Sequence, residues 1–242
     1  LRKLAYILLA TCLLLSISAC KNVSNSNPNP NSNSNPVVTD TEGIPEKTND
    51  IYSLIPSGWK ILNKEEKQVL FEGDLNKDEF NDVAAVIEEI KSQTDEAPQR
   101  ALLIAFGDKD NNYRLSIIAD RVILKADEGG VWGDPFDSIS IDRGSLVVSH
   151  YGGSNWRWFN TYRFRYQVND WYLIGATTGE YFTGSATEEE ANEQDYNLLT
   201  GDYIIKETDE SGKQKTTHGN RGKKELIKLK DFNPENINLH EQ

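Results

Sequence analysis

From Asp50 onward the chain is cut into short β-rich runs separated by turn residues, and this segmentation limits the fold more than any other feature. The runs are Gln68–Phe71, Val83–Ile90, Ala101–Phe106, Leu115–Leu124, Ser138–Ile141, Ser145–Tyr151, Trp156–Val168, Trp171–Ala176 and Asp202–Lys206. Such runs, rich in β-branched and aromatic residues, read as strands. Asp108–Asn112 and Asp142–Gly144 have the composition of hairpin turns. Tyr162-Arg163-Phe164-Arg165-Tyr166 alternates aromatic and basic, as a strand with one buried and one wet face does. Helical signals are few. Thr187 with Glu190 forms a capping-box pattern for a short helix through Glu193, and Asn63–Lys67 fits a single turn. Residues 207–225 read as an exposed loop or a long hairpin tip. The predicted architecture over residues 50–242 is mainly β: a single domain, an antiparallel β-sandwich or roll with a few short helices.

The N-terminal part differs in kind. Leu1-Arg2-Lys3 is basic, Leu4 to Ile17 is an almost unbroken apolar run, and Ile17-Ser18-Ala19-Cys20 ends it with small residues before a cysteine. A run of this length is too short for a hydrocarbon core roughly 30 Å thick, but it suits a secretory signal. The ending resembles the lipobox of bacterial lipoproteins: an aliphatic residue, two small residues and Cys. The resemblance implies a signal peptide over 1–19, cleavage before Cys20, and a diacylglycerol thioether on Cys20. It also implies acyl chains such as palmitate that hold the protein on the extracytoplasmic side of a bacterial membrane. The alternative is a non-lipidated signal whose cysteine is accidental. Residues 20–49 then form a tether, since Asn, Ser and Pro dominate from Lys21 to Pro45 and offer nothing to build a core from.

Charge narrows the partners. With 26 Lys and Arg against 38 Asp and Glu, the net charge is -12. Loss of Arg2 and Lys3 leaves 24 basic residues against 38 acidic and deepens it to -14. Nucleic acid is therefore excluded as an expected partner, because phosphate binding needs clustered Lys and Arg. Cys12 leaves with the signal and lipid blocks Cys20, so the domain is expected to have no disulfide.

Chemistry concentrates at Gly73-Asp74-Leu75-Asn76-Lys77-Asp78-Glu79-Phe80-Asn81-Asp82. Side-chain oxygens of Asp74, Asn76, Asp78 and Asp82, with the Phe80 carbonyl between them, have the spacing at which a loop wraps a hard cation, and calcium suits that set better than magnesium. The alternative is an acidic hairpin with no ion. An EF-hand is excluded, since Ala85 stands where a bidentate Glu is required. The stretch resembles the calcium loops of FG-GAP/VCBS-type repeats, found in integrin alpha subunits and many bacterial surface proteins. The resemblance implies a structural calcium ion on Asp74, Asn76, Asp78, Phe80 and Asp82. Glu79 departs from the pattern, standing where Gly usually allows positive φ. Asp108-Lys109-Asp110-Asn111-Asn112 lacks the downstream acid, Ser116 being there instead, and reads as a turn.

Trp132, His150, Trp156, Arg157 and Trp158 are the remaining candidates for ligand contact, in two Gly- and aromatic-rich stretches. Trp156 and Trp158 share one face of a strand. Large aromatics on such a face either fill a sandwich core or, if exposed, stack on sugar rings. Ser154 lacks the flanking glycines of a nucleophile elbow. The function expected from these residues is a lipid-anchored cell-envelope protein with a calcium-stabilised β domain and a non-catalytic binding or interaction role, toward envelope glycan or protein. A glycan- or peptidoglycan-binding module built on Trp132, Trp156 and Trp158 is one alternative. An envelope hydrolase with paired carboxylates, or with Ser154 and His150, is another.

Overall fold

The structure is a computed structural model and describes residues 41–91, 96–209, 212–235, 237 and 239. The expected signal peptide, Cys12, Cys20 and the tether through residue 40 lie outside the described residues.

The strands are β1 (Trp59–Ile61), β2 (Asn63–Lys64), β3 (Lys67–Gln68), β4 (Leu70–Gly73), β5 (Asp82–Glu89), β6 (Arg100–Gly107), β7 (Tyr113–Ala119), β8 (Phe136–Asp142), β9 (Ser145–Gly153), β10 (Trp156–Gln167), β11 (Asp170–Phe182), β12 (Asn192–Asn197), β13 (Asp202–Thr208) and β14 (Gln214–Asn220). Among the described residues the helical elements are short 3₁₀ turns, such as Ile51–Leu54 and Leu229–Asp231. All strand pairs are antiparallel. β8 to β14 form a seven-stranded meander, and β1, β4, β5, β6 and β7 form a five-stranded sheet in which β1 and β4 follow one another along the same edge of β5.

The two sheets face each other across one core. Val86, Leu102, Ile104 and Phe106 of the smaller sheet meet Leu146, Val148, Tyr162, Phe164 and Leu173 of the larger. Phe232, from the C-terminal segment, packs edge-on against Tyr162 and Phe164 at 4.7 and 5.1 Å. Buried Trp171 satisfies its only polar group by donating from Nε1 to Ser116 Oγ at 3.0 Å. The opposite face of the smaller sheet is covered too: Ile61, Ile87, Ala101, Leu103 and Ala105 lie beneath Leu54, Ile44 and Ile51. Burial on both faces explains why β5 and β6 read as continuous apolar runs rather than alternating ones.

Three local expectations change. The Thr187–Glu190 capping box forms, but it opens only the 3₁₀ turn Glu188–Glu190, because Asn192 is already the first residue of β12. Asn63–Lys67 is not a helical turn. Glu65 and Glu66 both take positive φ, 52° and 65°, and reverse the chain between β2 and β3. The domain also begins before Asp50, since Ile44 packs on the smaller sheet and Thr48 exchanges backbone bonds with Tyr113 at 3.0 and 2.6 Å. Residues 207–225 contain the β13–β14 hairpin tip, as read from composition. No helix among the described residues is long and apolar enough to cross a membrane.

A buried ion network pins the segment that carries Trp132. Arg100, 3 % exposed, donates from both terminal nitrogens to Asp134 at 2.7 Å each and from Nε to Glu88 at 3.1 Å. The two carboxylates hold the guanidinium charged despite its burial.

Candidate functional site

The acidic loop joins β4 to β5 and supplies its own order. Asp74 Oδ1 accepts the amides of Lys77 and Asp78 at 2.6 and 3.2 Å, and its Oδ2 accepts that of Glu79 at 3.1 Å. Asn76 Oδ1 accepts the Asp78 amide at 2.9 Å, and Asp78 Oδ1 accepts that of Phe80 at 3.0 Å. Glu79 takes φ 73° and Lys77 φ 68°, so the position that is usually Gly does adopt the left-handed backbone. Asp82 is fully buried. Its Oδ2 accepts the amides of Leu75 and Asn76 at 2.8 and 3.1 Å, and its Oδ1 accepts that of Gly107 at 3.0 Å. Burial pushes its carboxyl above the usual range, against the pull of those three bonds. The donors are hard oxygens and chemically suit calcium, and a carboxylate keeps lone pairs beyond those used here. Among the described residues, however, no group of three His, Cys, Asp or Glu side chains is gathered as a metal site.

The tryptophans separate. On β10, Trp156, Trp158 and Asn160 alternate onto the same face as Tyr162, which is core. They continue the inner face of the large sheet beyond the part covered by the smaller sheet. The strand register sets Trp158 opposite Glu180, Asn160 opposite Thr178, and Trp156 opposite Phe182. Across β11, Glu180 faces Asn192 and Thr178 faces Gln194. These side chains line a groove of about 560 Å³ that holds Trp158, Asn160, Thr178, Glu180, Asn192 and Gln194 and is bordered by the C-terminal segment at Pro234. A second stretch of about 480 Å³ holds Trp156 and Phe182, and Glu180 and Asn192 line it as well. The two therefore run on as one trough. Trp156 is 58 % exposed and Trp158 half-buried.

Trp132 and Arg157 belong to the opposite face. The Arg157 guanidinium stacks 4.5 Å from the Trp132 ring, and Trp132 meets Tyr151 edge-on at 4.9 Å. Arg163 is likewise turned outward, bonded to Asp142 at 2.8 Å. His150 lies in the core at 1 % exposure, directly beside Asn160 on the neighbouring strand. Its Nε2 accepts the Leu124 amide at 3.3 Å, so Nδ1 carries the proton and donates to Asn160 Oδ1 at 3.0 Å. Burial pushes its pKa down to about 4. With both nitrogens engaged, His150 has none left for Ser154, which sits exposed in the β9–β10 turn. Its place is to orient the Asn160 amide beneath the groove.

Sequence reading picked out Trp156 and Trp158 but missed Asn160, Thr178, Glu180, Asn192 and Gln194. None belongs to a motif along the chain, and only pairing across three strands brings them together. Comparison with protein-family models, curated proteins and solved structures finds no match to this chain.

Proposed function

We propose that the chain is a lipid-anchored bacterial cell-envelope protein whose β domain binds an envelope glycan in this trough without turning it over. One observation carries the reading: Trp156 is exposed and Trp158 half-exposed on a sheet face that also offers the amides of Asn160, Asn192 and Gln194. An aromatic ring takes the apolar face of a sugar while amides and carboxylates take its hydroxyls, and orientation by a few polar groups is what such sites require. The lipid on Cys20 and the tether would keep the groove within reach of the envelope. The engagement of His150 by Leu124 and Asn160 supports a non-catalytic role over a Ser154–His150 hydrolase.

Calcium belongs to the same reading as a structural ion. Asp74, Asn76, Asp78, Asp82 and the Phe80 carbonyl would hold it, and its charge would compensate three carboxylates in one loop.

Tryptophan emission of the purified protein, titrated with a soluble, uncharged N-acetylglucosamine oligosaccharide, tests the function. Saturable quenching that Trp158→Ala abolishes is expected. A flat titration with the wild-type protein overturns the reading.

A further inference from the structure

Resting on the glycan reading, we propose that the trough selects sugars that carry free amino groups, with Glu180 as the residue that makes the choice. Glu180 is the one carboxylate that stands directly across from a groove tryptophan, Trp158, with Trp156 diagonal to it on the same strand and the same face. It lines both stretches of the trough. Among the described residues no Lys, Arg or His comes within ion-pair distance of it. The groove's own lysine, Lys206, alternates to the other face and is held by Glu193 at 2.8 Å. Lys215 lies across from Glu207, near the far edge of the sheet. A carboxylate flanked by one exposed and one half-buried indole is the environment an ammonium group seeks, since the ring faces attract the cation and the carboxylate accepts a charge-assisted hydrogen bond. A neutral acetamido group in the same place would leave the carboxylate without a counter-charge. A phosphate- or carboxylate-bearing polymer would be repelled. The ligand class is therefore a glycan with de-N-acetylated amino sugars, lying along the trough so that successive rings reach Trp158 and Trp156.

The experiment compares a glucosamine hexamer with an N-acetylglucosamine hexamer by titration calorimetry at physiological salt. It uses the wild-type protein, Glu180→Gln and Trp158→Ala. Glu180→Gln is close to isosteric, and its melting temperature reports retained folding. The free-amine hexamer is expected to bind about tenfold more tightly than the acetylated one. In Glu180→Gln that preference should fall below about twofold, with affinity for the acetylated hexamer unchanged. Trp158→Ala should weaken both. Equal or tighter binding of the acetylated hexamer overturns the amine preference and leaves the glycan reading standing. A preference that survives in Glu180→Gln is attraction to the acidic surface at large and overturns the assignment to Glu180. Binding of neither hexamer overturns both this inference and the reading beneath it.

Discussion

The indole of Trp158 fills the space above Gly152 on the neighbouring strand, where a β-carbon would come 2.5 Å from Cζ2 and 2.8 Å from Cε2 of the ring. Backbone of Gly129 closes the site further, at 3.1 Å. The absence of a side chain at 152 thus sets where the groove's aromatic wall lies. Gly152→Ala should push the ring out of place, shift tryptophan emission and weaken glycan binding severalfold, with the strand pairing intact. Unchanged affinity in that variant would show that the ring position is irrelevant to binding.

His150 gives stability an acid-sensitive component. The unfolded side chain takes up its proton near pH 6.5, but the folded one resists until about pH 4. Its contribution is therefore complete above pH 6.5 and is lost progressively as pH falls toward 4, by up to about 3 kcal/mol. Asp82, raised by burial, acts in the opposite sense at the acid end of this window. Urea unfolding at pH 7, 6, 5 and 4.5 should show the decline. His150→Gln should flatten it.

Removing Asp134 would leave the buried Arg100 guanidinium with Glu88 as its one carboxylate, beside the Leu124 carbonyl. Breaking a buried pair from one side is more damaging than the pair is stabilising, so Asp134→Ala should cost about 3 kcal/mol. The segment Gly129–Phe136 should loosen with it. Hydrogen exchange would register faster exchange there, and a variant as stable as wild type would discount the network.

The acidic loop makes separable predictions. Glu79 holds a left-handed backbone that Gly adopts freely, so Glu79→Gly should stabilise the protein by up to about 1 kcal/mol. Asp82→Ala strands the buried amides of Leu75 and Gly107 and the part-buried amide of Asn76, and should cost about 3 kcal/mol. Millimolar calcium should raise the melting temperature relative to EDTA, and Asp78→Asn should blunt the rise. An identical melting temperature with and without calcium would remove the ion from the proposal.

Cys20 is the test of anchoring. In a bacterial host, labelled palmitate should enter the protein, and Cys20→Ser should release it from the membrane fraction. Membrane retention of the unlabelled variant would contradict a lipid anchor.

Nine apolar or aromatic runs in the sequence each contain or overlap a strand, because burial selects residues that carry their own signal. β12 escaped that reading. Asn192–Asn197 is polar except for the buried Tyr196, and it is extended because β11 and β13 on either side complete its hydrogen bonds. The core aromatics were legible as a class, but which tryptophans fill the core was not. Trp171 is buried while Trp156 is open, although both lie in similar runs.

The sequence by itself determined the mainly β architecture, the punctuation between strands, and the oxygen spacing of the Asp74–Asp82 motif. These depend on spacing along the chain. The groove depends on a register that the chain does not announce. Counting back from the Val168–Asn169 turn along the β10–β11 hairpin sets Trp158 against Gly179. A β-bulge between Arg163 and Phe164 shifts the pairing by one residue at Ile174, so that Glu180 and Thr178 turn inward. Because strand side chains alternate faces, that one extra residue exchanges the entire second half of β11. Tertiary packing alone decided it. Trp171 and Leu173 before the bulge and Ala176 after it all have to face the same core.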